Sequence, residues 1–141
     1  MLKSKHLIGL EDFPISDLNK IIDTSFKFKQ ILNSPGRKIN LLKGKTLVNM
    51  FFENSTRTKI SFTLAEKRLG ADSINFPATG SSVKKGETLK DTVRNIESMQ
   101  IDGAIIRHSH PGAALKLTEY IDGSVINAGD GSHEHPTQAI L

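Results

Sequence analysis

Four short apolar runs recur along the chain, and each gives way within a few residues to a polar cluster. They are "KTLVNMFF" at 45–52, "DSINF" at 72–76, "DGAIIRH" at 102–108 and "SVINAG" at 124–129, with helical spacing between them. Runs of this length and character suit strands buried on both faces. Strand, helix, strand, helix with short connections predicts an α/β fold: a parallel sheet of about four strands with helices on both faces. At 141 residues the chain supplies one core and hardly two, so residues 1–141 are read as a single domain.

The helical segments have recognisable ends. Leu18, Ile21, Ile22, Ser25 and Leu32 follow helical spacing behind Pro14, with Ser16 expected as the cap and "NSPGRK" as the stop. A second helix is predicted over Thr56–Leu69, with Phe62, Ala65 and Leu69 on one face and Gly70 as terminator. A third carries Leu89, Val93 and Ile96, starting at Glu87 or Thr88 after the loop "PATGSSVKKGE". "PGAALKLTEYI" reads as a fourth.

In parallel sheets, ligands sit beyond the carboxyl ends of the strands. The polar clusters fall there: "ENSTRT", "ATGSSVKKGE", "RHSHP" and "GDGSHEHPTQ" each come directly after one strand. At Ser55-Thr56-Arg57-Thr58 the backbone turns into a helix, whose first N–H groups lack intrahelical partners and favour an anion. Three hydroxyls add donors, and Arg57 adds a planar fork suited to phosphate. Ordinary capping by Asn54 or Ser55 accounts for one hydroxyl but not for four consecutive residues. Arg107, directly after a strand, is placed to donate to an oxyanion, whereas His108 and His110 read equally well as loop residues. His135 is suited to donate to a carbonyl oxygen and Gln138 to hold an amide, with Pro136 fitting a first helical turn.

Several function classes are set aside. There is no Gly-x-x-x-x-Gly-Lys phosphate loop. With no cysteine, disulfides, thiolate chemistry and Cys-based metal sites are excluded. The pairs His108/His110 and His133/His135 lack a metal-binding spacing, so no metal is expected. The net charge of +4 is dispersed, which argues for a solvated surface or a small anionic substrate rather than nucleic acid. The amino-terminal stretch has no apolar core of signal-peptide length, and no segment could span a bilayer; a cytoplasmic chain is expected.

Taken in order and spacing, "FFENSTRTK", "SSVKKGETLKDT", "IIRH" and "NAGDGSHEHPTQ" resemble the aspartate/ornithine carbamoyltransferase family, more closely its aspartate branch. The resemblance runs over essentially the whole chain. It implies the carbamoyl-phosphate-binding half of a two-domain enzyme, with the amino-acid-binding domain outside residues 1–141. It further implies that Ser55, Thr56, Arg57 and Thr58 hold phosphate and that Arg107 contacts phosphate and carbonyl oxygen. His135 and Thr58 would polarise that oxygen and Gln138 would face the carbamoyl amide, making Arg57, Thr58, Arg107 and His135 the catalytic set. Ser81 and Lys85 match loop residues that, in the family, reach into a neighbouring subunit's site, which implies a homotrimer. The implied reaction joins carbamoyl phosphate and L-aspartate without a metal or organic cofactor, in pyrimidine synthesis, and leaves room for regulatory subunits. Other readings are a non-catalytic binding module and a transferase acting on ornithine or another amino acid. One departure from the family pattern is Lys59, where an Arg is usual: the charge stays but the bidentate fork is lost.

Overall fold

A computed structural model describes residues 2–77 and 88–141. The elements run α1 (Ile15–Leu32), β1 (Thr46–Phe51), α2 (Thr56–Leu69), β2 (Asp72–Pro77), α3 (Leu89–Glu97), β3 (Gly103–His108), α4 (Ala113–Leu117), β4 (Ser124–Asp130) and α5 (Pro136–Ile140). All strand pairings are parallel and the order across the sheet is β2-β1-β3-β4. The chain thus moves outward from β1 to β2, then crosses back to lay β3 on the other side of β1. The order reverses between β1 and β3, which opens a crevice at their carboxyl ends.

Alternation along the strands builds two cores. Val48, Met50, Ala104, Ile106 and Val125 pack with Val93 and Ile96 of α3 and with Ala113, Ala114 and Leu117 of α4. Phe51, Ile105 and Ala128 face the opposite way, against Phe62 of α2. Each fully buried aliphatic side chain contributes about 1.5–3 kcal/mol, so the helices are held to the sheet chiefly by these two faces. α3 begins in a capping box, with the Thr88 hydroxyl accepting from the Asp91 N–H and Asp91 accepting from the Thr88 N–H.

Two local expectations are corrected. Ser16 does not cap α1: the helix starts at Ile15 behind Pro14, with no side-chain capping bond. Pro14 already fixes the entry conformation, and Asp17 instead is buried, accepting from the Lys3 and Ser4 N–H groups. On this helix Ser25 and Leu32 are exposed, while Leu18, Ile21, Ile22, Phe28 and Ile31 are half-buried. In α2, Ala65 is exposed and Glu66 takes the buried position. The reason lies across the interface, where β1 and β2 present Asn49 and Ser73. The Asn49 amide donates to Glu66 Oε2 at 2.9 Å and the Ser73 hydroxyl donates to the same oxygen.

The outer edge of β4 is covered by the amino-terminal segment. Leu7 N–H donates to Val125 O at 2.9 Å and Asn127 N–H to Leu7 O at 2.8 Å, while Val125 N–H donates to His6 Nδ1. The β3–β4 register slips by one residue: Ile106 pairs with Asn127 but His108 with Asp130. This bulge bends β4 at Ala128 and Gly129, next to the crevice, and re-aims the residues C-terminal to it.

Candidate functional site

The crevice walls come from the ends of β1, β3 and β4. Phe52 N–H donates to Arg107 O at 2.8 Å, locking the segment after β1 to the end of β3. Arg107 Nη1 donates to Ala128 O at 2.9 Å, a carbonyl that the bulge brings within reach. On its other side the guanidinium lies against Glu53, with Nε 3.4 Å from Oε2. That Nε is buried without a hydrogen bond, so the ion pair is loose and the fork retains donor capacity.

Arg107, Glu53, Gly129, Gly131, Ser132, His133, Glu134 and His135 line a cleft of about 230 Å³. Gly129 is what lets Arg107 and His135 share it. Its φ is +110°, and a Cβ there would meet Arg107 Nη1 at 2.6 Å and His135 Cδ2 at 3.3 Å. Only glycine suits both the left-handed backbone and the close approach. A more apolar groove lined by Phe28, Ile31, Leu64 and Leu69 lies between α1 and α2, away from the strand ends, and among the described residues its charged lining groups are Arg37 and Arg68.

The first turn of α2 flanks the crevice on the β1 side. Ser55 occupies the N-cap position, but its side chain makes no capping bond; its hydroxyl donates instead to Thr58 Oγ1 at 2.8 Å. The capping alternative for Asn54 or Ser55 is thereby corrected. No acidic residue stands in the first turn, while Arg57 and Lys59 add positive charge. A 14-residue helix starting this way presents unneutralised N–H groups and a positive dipole end. Thr56 and Arg57 are exposed and Ser55 and Thr58 half-buried.

His135 precedes α5 and its Nδ1 lies 3.2 Å from the Thr137 hydroxyl. Burial, then the neighbouring Arg107 charge, push its pKa below the ordinary histidine value, which favours the neutral ring. The tautomer in which the Thr137 hydroxyl donates to Nδ1 leaves the ring proton on Nε2 as a donor. Pro136 opens α5 as expected. Gln138 is exposed and, like Ser55, Thr56, Arg57 and Thr58, is not among the residues lining the Arg107–His135 cleft. Ser81 and Lys85 lie outside the described residues.

The His108 ring packs, tilted, against both His110 and Phe52, with ring centroids 5.1 and 5.2 Å away, and His110 N–H donates to His108 Nδ1. Burial and the His110 neighbour lower the His108 pKa. Sequence reasoning missed Glu53, whose only signal was its place beside the "NSTRT" cluster, and the buried pair Asn127 and Asp130. An aspartate between Gly129 and Gly131 at a strand end was a signal for the latter.

A parallel sheet with a crevice at its switch point, one arginine aimed into it and an uncapped helix start beside it defines an α/β domain of the small-anion-binding class. Residues 5–141 match the family model described as aspartate/ornithine carbamoyltransferase, carbamoyl-P binding domain, and the chain belongs to that family. It is 54% identical over 99% of its length to the aspartate carbamoyltransferase catalytic subunit of Christiangramia forsetii, covering 45% of that relative. Among solved structures it resembles aspartate transcarbamoylase from Trypanosoma cruzi in complex with carbamoyl aspartate and phosphate (TM-score 0.88, 37% identity, 99% of this chain and 45% of that one). It also resembles the catalytic subunit of M. Jannaschii aspartate transcarbamoylase (TM-score 0.87, 43% identity, 97% and 44%). The chain therefore spans a little under half the length of the relatives it matches.

Proposed function

We infer that this chain is the carbamoyl-phosphate-binding domain of an aspartate carbamoyltransferase. The observation that carries the reading is the convergence of Arg107 and His135 across Gly129, beside the uncapped, carboxylate-free start of α2. A ligand with a phosphate at one end and a carbonyl at the other suits these two halves. Ser55, Thr56, Arg57 and Thr58 hold the phosphate; Arg107 bridges phosphate and carbonyl oxygen; His135 Nε2–H and the Thr58 hydroxyl donate to that oxygen; Gln138 takes the amide. Ser81 and Lys85 of a neighbouring copy complete the site in a trimer.

The reaction is dictated by where charge develops. The α-amine of L-aspartate attacks the carbonyl carbon and negative charge grows on the carbonyl oxygen, where Arg107, Thr58 and His135 stabilise it as an oxyanion hole does. The C–N bond forms, the bond from carbon to the phosphate oxygen breaks, and the leaving phosphate takes up the proton the amine loses. The nest at the start of α2 and Arg57 stabilise the phosphate as it departs. In this reading the acceptor is held mostly by residues beyond the 45% of the relatives that the chain covers, and the domain supplies the carbamoyl donor half of a cytoplasmic enzyme of pyrimidine synthesis. The identity to aspartate carbamoyltransferase subunits favours aspartate over ornithine as that acceptor.

Calorimetric titration with carbamoyl phosphate, phosphate and sulfate, with the mass measured in parallel, tests the reading. Saturable binding that prefers carbamoyl phosphate is expected. A folded trimer that binds none of the three, or all alike, refutes it.

A further inference from the structure

A buried polar pair is hydrogen-bonded to Gly129, His133 and Glu134, which line the cleft. Asn127 and Asp130 are both 0% exposed, and neither lines the cleft. The Asp130 carboxylate accepts four bonds. They come from the Asn127 amide at 2.8 Å, His133 Nδ1 at 3.0 Å, Glu134 N–H at 3.3 Å and Gly112 N–H at 2.9 Å. Burial opposes the charge, but these donors hold its pKa below the usual carboxylate range. Asn127 in turn accepts from Gly129 N–H at 2.9 Å and donates to Ile8 O at 2.8 Å and Glu134 O at 3.2 Å.

The loop between Gly129 and His135 closes on this pair. Asp130 N–H donates to Glu134 O, and His133 N–H donates to Asp130 O. Both backbone groups of Glu134, the residue before His135, are therefore tied to Asp130 or Asn127. Arg107 is held by Ala128 O, from the two-residue step between the same two side chains. The start of α2 shares none of these bonds; it rests on its own Ser55–Thr58 bond and on β1.

We propose that Asp130, braced by Asn127, is the positioning residue for the Arg107–His135 half of the site and leaves the α2 half untouched. It acts by setting the geometry of two ligand-facing groups, without contacting the ligand. The assignment of ligand ends rests on the carbamoyl-phosphate reading of the same site. On that reading Asp130 governs the groups that meet the carbonyl end of carbamoyl phosphate, and reaches the phosphate only through Arg107, not through the start of α2.

The test uses Asp130→Asn, which keeps the shape but replaces one acceptor oxygen by a donor facing donors. In the ligand-free chain, the His135 ring and Arg107 side-chain nitrogen resonances shift, while the amides of Thr56, Arg57 and Thr58 do not. Unmoved His135 and Arg107 resonances overturn the proposal whatever the ligand does. In titrations, carbamoyl phosphate affinity falls by about ten-fold or more, while inorganic phosphate, which keeps the start of α2 and loses only the Arg107 contact, falls by less. Equal losses for both ligands, or a retained preference, also overturn it. A wild-type chain with no preference for carbamoyl phosphate defeats the functional reading instead, and the ligand-free resonances then decide the positioning role alone. Should Asp130→Asn fail to fold, His133→Gln replaces one of the four donors at a half-exposed position. It is expected to move the same His135 and Arg107 resonances by less, and no movement sinks the proposal.

Discussion

Gly129→Ala is the perturbation whose consequence is most directly set by the geometry. At φ +110° an alanine leaves the regions open to L-residues, costing about 1–2 kcal/mol. Its methyl group would stand 2.6 Å from Arg107 Nη1, about 1 Å inside ordinary contact. The guanidinium is the far end of a flexible side chain, so it moves in preference to the backbone. Moving it about 1 Å breaks the 2.9 Å bond to Ala128 O, and loss of one charged hydrogen bond costs a further ~1.5–3 kcal/mol before water replaces it. Urea denaturation should therefore show a loss of about 2–4 kcal/mol. On the proposed function, carbamoyl phosphate affinity should fall by at least about ten-fold, because displaced Arg107 and crowded His135 both lose their aim. A stability change under about 0.5 kcal/mol with unaltered binding would refute the reasoning, since neither the strain nor the contact could then be present.

Two further outcomes concern titrating groups. His135 should titrate below the ordinary histidine value in an imidazole NMR series. Arg107→Gln should raise its midpoint part of the way back, because burial is the larger cause and Arg107 the smaller. A midpoint at or above the free value, or one lowered further by the substitution, would contradict this. Burial raises the Glu66 pKa against the bonds from Ser73 and Asn49. The native state then holds that proton more tightly than the unfolded chain, so the stability from this group falls as pH rises from about 4.3 through the raised native value. Glu66→Gln should remove this slope and stabilise the fold by about 1 kcal/mol at pH 7.5 but not at pH 4, measured by urea denaturation at both. Destabilisation at pH 7.5 would count against it.

Much of the fold was legible because its signals are local. The four strands are apolar runs bounded by polar clusters, and all four appear within two residues of their expected ends. α2 spans Thr56–Leu69 as its periodicity implied, and Gly70 ends it at φ +84° because a left-handed residue lets the chain leave the helix. The positions of Arg107 near the end of β3 and of Ser55 to Thr58 soon after β1 were likewise implied by adjacency along the chain.

What local pattern could not supply was every feature that depends on which strand lies beside which. The burial of Glu66 in place of Ala65 depends on Asn49 and Ser73, which sit on two strands that only the sheet order brings beneath α2. The Glu53–Arg107 contact needs β3 to lie against β1, a non-local pairing with no trace in periodicity. The slip that turns Ala128 O toward Arg107 is a register event between β3 and β4, and one residue of slip redirects everything after it. Residue types and their spacing along the chain thus specified the elements and their chemistry. The aim of that chemistry came from tertiary pairing, because hydrogen bonding and burial across the sheet act between residues that the chain itself holds far apart.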